Sequence, residues 1–286
     1  MFRKLLELKF LLIFLSSLFL AENAHAWGPA VHLVNGSKIL AILPFLPQSL
    51  AALIKENPLD YLYGTIAADI YIGKGSSRQD DHCHNWDVGF SLLENAKNKT
   101  QEAFVWGYLS HLAADIIAHN YFVPKYMLGK RITKKFNHIY WEVMAETLVS
   151  KSAFRHGQDL IAHGNKENDA LLNATIDMHG GFFRIKKYIF KKSINLNNYR
   201  LWGNRVERFS AKIDSAEKAE VLEFIDLSYY LVLDLLMQQK NSIIMKYDPI
   251  GVDCINCKNR VACKIPEEIL NLKVKYQDLL AGNKRV

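Results

Sequence analysis

Residues 110–121 read Ser110-His111-Leu112-Ala113-Ala114-Asp115-Ile116-Ile117-Ala118-His119-Asn120-Tyr121. His111, Asp115 and His119 recur every four residues. On a helix of 3.6 residues per turn they fall within about 80° of one another, stacked on one face. The residues between them, Leu112, Ala113, Ala114, Ile116, Ile117 and Ala118, are all apolar. A surface helix would show a wet side; this one predicts burial nearly all round. An aspartate flanked by two histidines in such a place is costly unless it is paired or metal-bound. Imidazoles and a carboxylate projecting from one helix face are the ligand types that zinc takes.

Helical patterning continues on both sides of this stretch. Apolar residues at i, i+3 and i+4 predict the two strongest helices over residues 104–121 and 136–150, joined by a loop through Pro124 and Gly129. Upstream, residues 31–43 stop at Pro44, residues 46–54 end before Asn57-Pro58, and residues 59–68 form a third candidate. Residues 73–87, GKGSSRQDDHCHNWD, read as a loop. Downstream, helices are expected over 168–178, 182–190, 216–239 and 267–280. In the longest of these, Val221, Phe224, Ile225, Leu227, Tyr230, Leu231 and Leu235 mark the buried side. No run alternates with period two, and no repeat or low-complexity linker divides the chain. The sequence therefore predicts an all-α, single multi-helix domain, with residues after about 150 as its C-terminal helical part.

Composition agrees with a folded chain. Half of the 286 residues are hydrophobic and 23% are charged, which excludes disorder and collagen-like repeats. The net charge is +7, which suits an anionic substrate or surface. Residues 1–26, MFRKLLELKFLLIFLSSLFLAENAHA, have a basic start, an apolar run and an Ala24-His25-Ala26 cleavage signal. They predict a signal peptide, and residues 27–286 as an exported domain, secreted or periplasmic, beginning at Trp27.

Further ligand-like residues surround the central stretch. His138 and Glu142 are again four apart, with Glu146 one turn on as an alternative ligand or a partner to one. His82-Cys83-His84 lies in the predicted loop. Asp69 follows a small-residue run, and His32 follows Trp27-Gly28-Pro29-Ala30-Val31.

Trp27, His32, Asp69, His84, His111, Asp115, His119, His138 and Glu142, in that order, resemble the zinc-dependent phospholipase C family. Its relatives include single-strand-specific zinc nucleases and the enzymatic domain of glycosylphosphatidylinositol-specific phospholipase D. The resemblance covers about residues 27–150. It implies an all-α fold and up to three Zn2+ ions. One would be held by the Trp27 amine and carbonyl with His32 and Asp115. A second would be held by His84, His111 and Asp115, with Asp69 near or on it. The third would be held by His119, His138 and Glu142. His82 competes with His84, and Glu146 with Glu142. The best-known enzymes of the family place the third histidine six residues after the aspartate, where this chain has four. The resemblance implies a zinc phosphodiesterase in which Asp69 orients or deprotonates the attacking water. The first expectation is a phospholipase C acting on phospholipid at a membrane surface. A single-strand nuclease is the alternative, and a non-catalytic zinc-binding helical protein is a third reading. Tyr71 and Trp86 are candidate pocket walls.

Cys83, Cys254, Cys257 and Cys263 suggest disulfides in an exported chain, with three full pairings open, one option being a cross-link from the C-terminal cysteines to Cys83; Cys254, Cys257 and Cys263 also resemble part of a metal knuckle without a fourth local ligand. The run Arg184-Ile185-Lys186-Lys187-Tyr188-Ile189-Phe190-Lys191-Lys192 mixes cations with aromatic and aliphatic residues. It suits a solvated helix face, an anionic lipid surface or nucleic acid.

Overall fold

The structure is a computed structural model that describes residues 27–71, 82–127, 214–251 and 264–282. It also describes residues 141, 144–149, 159–161, 166–176, 184–188 and 190–191. The protein is all-α, and the described residues contain no strand. The signal-peptide expectation for residues 1–26, and the expectations for His138, Glu142 and the three C-terminal cysteines, lie outside the described residues.

The first half of the chain supplies α1 (Pro29–Leu40), α2 (Gln48–Glu56), α3 (Pro58–Ala67), α4 (Trp86–Glu94), α5 (Lys99–Ile117) and α6 (Val123–Met127). The second half adds α7 (Lys166–Thr175), α8 (Ser215–Gln238) and α9 (Glu267–Gly282). Proline at the first helical position starts α1 and α3, where its missing N–H costs nothing. Side chains start two others. The Asn85 amide oxygen accepts from Asp87 N at 3.1 Å, and that of Asn98 accepts from Gln101 N at 2.9 Å.

α5 is the axis of the molecule. From Ala103 to Ile117 every residue is buried, as its unbroken apolar surroundings predict. It packs most extensively against α3 and then α8, with α1, α4 and α7 completing its surroundings. The α3–α5 crossing is unusually close. A Cβ on Gly64 would stand 1.9 Å from the Phe104 carbonyl oxygen, and one on Gly107 would stand 1.9 Å from that of Tyr61. Only two facing glycines let the backbones meet there. The contact fixes the register of Thr65 and Asp69 against His111.

Two local findings differ from the sequence expectation. Helix α4 begins at Trp86, inside what reads as the end of a loop. The Asn85 cap explains its start, and Gly89 and Leu92 are its buried side. The long helix also does not run regularly to Tyr121. At Ala118–Phe122 it widens into a π turn, all five residues of which are buried. π turns of this kind are frequent at functional sites, because the extra residue re-aims side chains. His119 lies in this turn.

Candidate metal centre

Four elements bring polar groups to one buried point. α5 and its π turn carry His111, Asp115 and His119. α1 carries His32, the 3-10 turn Ala68–Tyr71 after α3 carries Asp69, and the segment ahead of α4 carries His84. All six side chains are buried.

Asp115 is the hub. Its Oδ2 lies 3.1 Å from His111 Nε2, 3.3 Å from His84 Nε2 and 3.7 Å from His119 Nε2. Its Oδ1 lies 3.3 Å from His32 Nε2. Asp69 Oδ1 reaches His84 Nε2 at 3.5 Å and His111 Nε2 at 3.7 Å. The rings of His32 and His111 stack at 3.9 Å.

The hydrogen bonds behind the ligands orient them. His111 Nδ1 is 2.9 Å from the Thr65 carbonyl oxygen. A carbonyl only accepts, so Nδ1 carries the proton and Nε2 presents its lone pair to the centre. His84 Nε2 faces it at 3.0 Å, while His84 Nδ1 rests on Cys83 Sγ at 3.3 Å. The Cys83 carbonyl in turn accepts from the Tyr108 hydroxyl. His82 is buried beside His84, and its Nδ1 accepts from the His84 backbone N–H at 3.1 Å. His82 thus braces the segment through Nδ1, whereas His84 is the histidine that meets Asp69, His111 and Asp115.

This donor set fits a cation. Two imidazole nitrogens and two carboxylates converge within a few ångströms, and few protein donors oppose them. Among the described residues, both ring nitrogens of His32 and the Nε2 of His119 are buried without a hydrogen bond. Buried polar atoms left in that state are expensive. Among the described residues three sets of atoms each lie within 4.8 Å of one another: His32, His111 and Asp115; Asp69, His84 and His111; and, beside them, His82, Cys83 and His84. Titration carries the same message. Burial pushes the Asp115 carboxyl up, but the neighbouring His111 and His32 hold it well below the usual carboxylate range. Burial opposes charge on His84, yet Cys83, Asp115 and Asp69 raise it well above an ordinary histidine. Burial and the His32 ring lower His111. His82 is pushed down to about 4 by burial and by His84 and His119. The carboxylates thus demand positive charge at their meeting point, which a proton on His84 or a bound metal supplies.

The side chains of two further residues flagged in the sequence hold the segment that leads into His32. The Trp27 indole is wholly buried, donating from Nε1 to Ser228 Oγ at 2.9 Å and to the Ala114 carbonyl at 3.2 Å. Its ring lies 4.5 Å from that of Phe122, so the residue is anchored against α5 and α8. The Glu146 carboxylate accepts from the amides of Ala30 and Val31. Cys83 is a free, buried thiol, so the pairings left open by the sequence that would include it are not formed. Its sulfur is occupied by His84. Trp86 is half-buried and donates to the Tyr247 carbonyl at 2.9 Å, in the wall of an open cleft lined by residues 245–250. Thr65, which supplies only its carbonyl, escaped the sequence reading. A backbone group leaves no signature in residue type.

Comparison with known proteins agrees with this geometry. A family model described as zinc dependent phospholipase C matches residues 31–189, more than half of the chain. No curated protein and no solved structure matches it.

Proposed function

The chain belongs to the zinc-dependent phospholipase C family, and on that premise we propose that it is an exported phosphodiesterase that cleaves phospholipid into diacylglycerol and a phosphorylated headgroup. The observation that carries the reading is the convergence of His84, His111, Asp69 and Asp115 on one buried point. His32 and His119 extend the set on either side of Asp115. Zinc bound there would polarise the phosphoryl oxygens and lower the pKa of water. Asp115 uses both oxygens, so it ties the His32 side to the His84–His111 side. Thr65 fixes the His111 tautomer. Asp69, in the 3-10 turn that follows α3, is the residue assigned to hold the attacking water and take its proton. His138 and Glu142 are assigned with His119 to a third zinc.

A lipid surface as partner has its own support. In the helical residues 184–188, Ile185 and Tyr188 are 58% and 61% exposed, three residues apart, with Arg184 and Lys186 beside them. Two apolar side chains in a basic setting suit an anionic lipid–water boundary. Among the described residues no helix is long and apolar enough to cross a membrane.

The deciding experiment assays purified protein on phosphatidylcholine vesicles and on single-stranded DNA, with metal content measured in parallel. Diacylglycerol release by zinc-loaded protein is the expected result. Cleavage of DNA alone would move the substrate to nucleic acid, and a protein that binds no zinc would overturn the enzyme reading.

Trp27 is further assigned as a ligand through its backbone amine. That nitrogen exists only after cleavage at Ala26, because a peptide nitrogen is a poor ligand. Residues 27–286 with a native terminus should therefore bind one more zinc than the same protein carrying Gly-Ser ahead of Trp27. Equal metal content in the two forms would remove Trp27 from the ligand set.

A further inference from the structure

The amino terminus of α1 lacks a cap of its own. Its N-cap residue is Gly28, which has no side chain, and its first turn contains no acidic residue. The exposed amides are instead met from 115 and 116 residues away in sequence. Glu146 Oε1 accepts from Val31 N at 3.0 Å, and Oε2 accepts from Ala30 N at 3.1 Å. Each carboxylate oxygen takes one N–H at the positive end of the helix, where an anion is favoured. Glu146 is 3% exposed. The seat is shaped for it, since a Cβ on Gly28 would stand 2.4 Å from Glu146 Cδ.

We infer that Glu146 is a positioning residue for the metal centre. It acts by locking the Trp27–His32 segment against α5. His32 directly follows the two captured amides, and its Nε2 meets Asp115 at 3.3 Å. Trp27 directly precedes Gly28 and is held from its other side by Ser228 and Ala114. The segment is therefore pinned at its indole and at the start of its helix, and His32 is the group left to swing if the second pin is removed. Neither oxygen need touch a metal. Glutamine would not replace it, because its amide NH2 would confront a backbone N–H where an acceptor is required.

The inference rests on the zinc-binding reading above, and the test separates the two. Wild type, Glu146→Gln, Gly28→Ala and His32→Ala are compared for zinc content, zinc affinity, helical circular dichroism and hydrogen exchange at the Ala30 and Val31 amides. Glu146→Gln should lose 10- to 100-fold in affinity for the same zinc that His32→Ala loses, as expected for a residue that orients a ligand. The other zinc should stay, and excess zinc should restore turnover with KM little changed. Exchange at Ala30 and Val31 should quicken in Glu146→Gln but not in His32→Ala. Gly28→Ala, which displaces the carboxylate without removing it, should reproduce the defect. Wild-type affinity and unchanged amide exchange in both Glu146→Gln and Gly28→Ala would overturn the inference. A wild-type protein without zinc would overturn the function it rests on, and the Ala30 and Val31 amides would still report whether Glu146 caps α1.

Discussion

Two aspartates in this protein are buried to the same degree, each 1% exposed, and their surroundings differ in kind. Asp234, on α8, is surrounded by donors. Ser242 Oγ donates at 2.5 Å, Tyr276 OH donates at 2.5 Å, and the Lys275 ammonium stands 3.5 Å away. That carboxylate is satisfied by the protein, and it ties α9 and the 3-10 turns after α8 to the body of the fold. Asp115, on α5, is surrounded by histidines. One of them, His111, has its proton committed elsewhere, and both ring nitrogens of His32 and the Nε2 of His119 find no hydrogen bond among the described residues. A buried carboxylate among donors is a structural clamp. One among lone pairs is half of a metal site, because only a cation satisfies all parties at once.

Exchanging the charge at each aspartate should give opposite results. Asp115→Asn is expected to lose the metal and all measurable phosphodiesterase activity, with a fall in thermal stability because binding is linked to folding. Asp234→Asn should keep its full zinc content and near-normal turnover while losing about 1–3 kcal/mol in chemical denaturation. Loss of zinc from the Asp234 variant would dissolve the distinction.

Within the metal region, Asp69→Asn should separate chemistry from architecture. The variant is expected to retain at least two zincs and its fold but to lose about 10²–10⁴-fold in turnover, the usual worth of a proton acceptor. A near-normal kcat would remove Asp69 from the mechanism.

Acid should also discriminate between the two regions. Zinc ligation requires neutral imidazoles, so protons compete with metal as pH falls, first at His84, which holds a proton more tightly than an ordinary histidine, and later at His111, which holds one less tightly. The stabilisation conferred by zinc is therefore present at pH 8 and lost toward pH 5. The rise in melting temperature on adding zinc should shrink accordingly. In Asp234→Asn the same zinc-dependent shift and the same pH profile should persist. A shift that is independent of pH would argue against histidine ligation.

The smallest effect is expected at Tyr276→Phe, which removes one donor from Asp234 while Ser242 and Lys275 remain. About 1 kcal/mol of stability should go, with no change in zinc content. A zinc defect in this variant would show that the two regions are coupled.

Much of the fold was legible because helices are written locally. The apolar spacing of residues 104–121 and 216–239 identified α5 and α8 to within a few residues. Asn57-Pro58 ended α2 as read and also opens α3, whereas Pro44 fell inside a 3-10 turn, Leu43–Phe45, instead of simply ending α1. α4 was missed because its preceding loop is rich in glycine and charge. The signal that could have found it is Asn85 two residues before Asp87, a side-chain cap.

For the site, the i, i+4 spacing of His111 and Asp115 is itself a statement of proximity, since the helix alone brings those two together. Family resemblance added His32, Asp69 and His84 to the roll. What the sequence by itself determined is the all-α class with most of the described helices, the central ligand stripe and the family. Tertiary structure alone decided that Asp69 and Thr65 meet His111, because that contact depends on Gly64 passing Gly107 at backbone distance. It also decided that His84 faces the centre while His82 braces it, that a π turn re-aims His119, and that Glu146 caps α1. The physical reason is range. Helix periodicity is a property of consecutive residues, whereas a hydrogen bond spanning 115 residues exists only once the helices have packed.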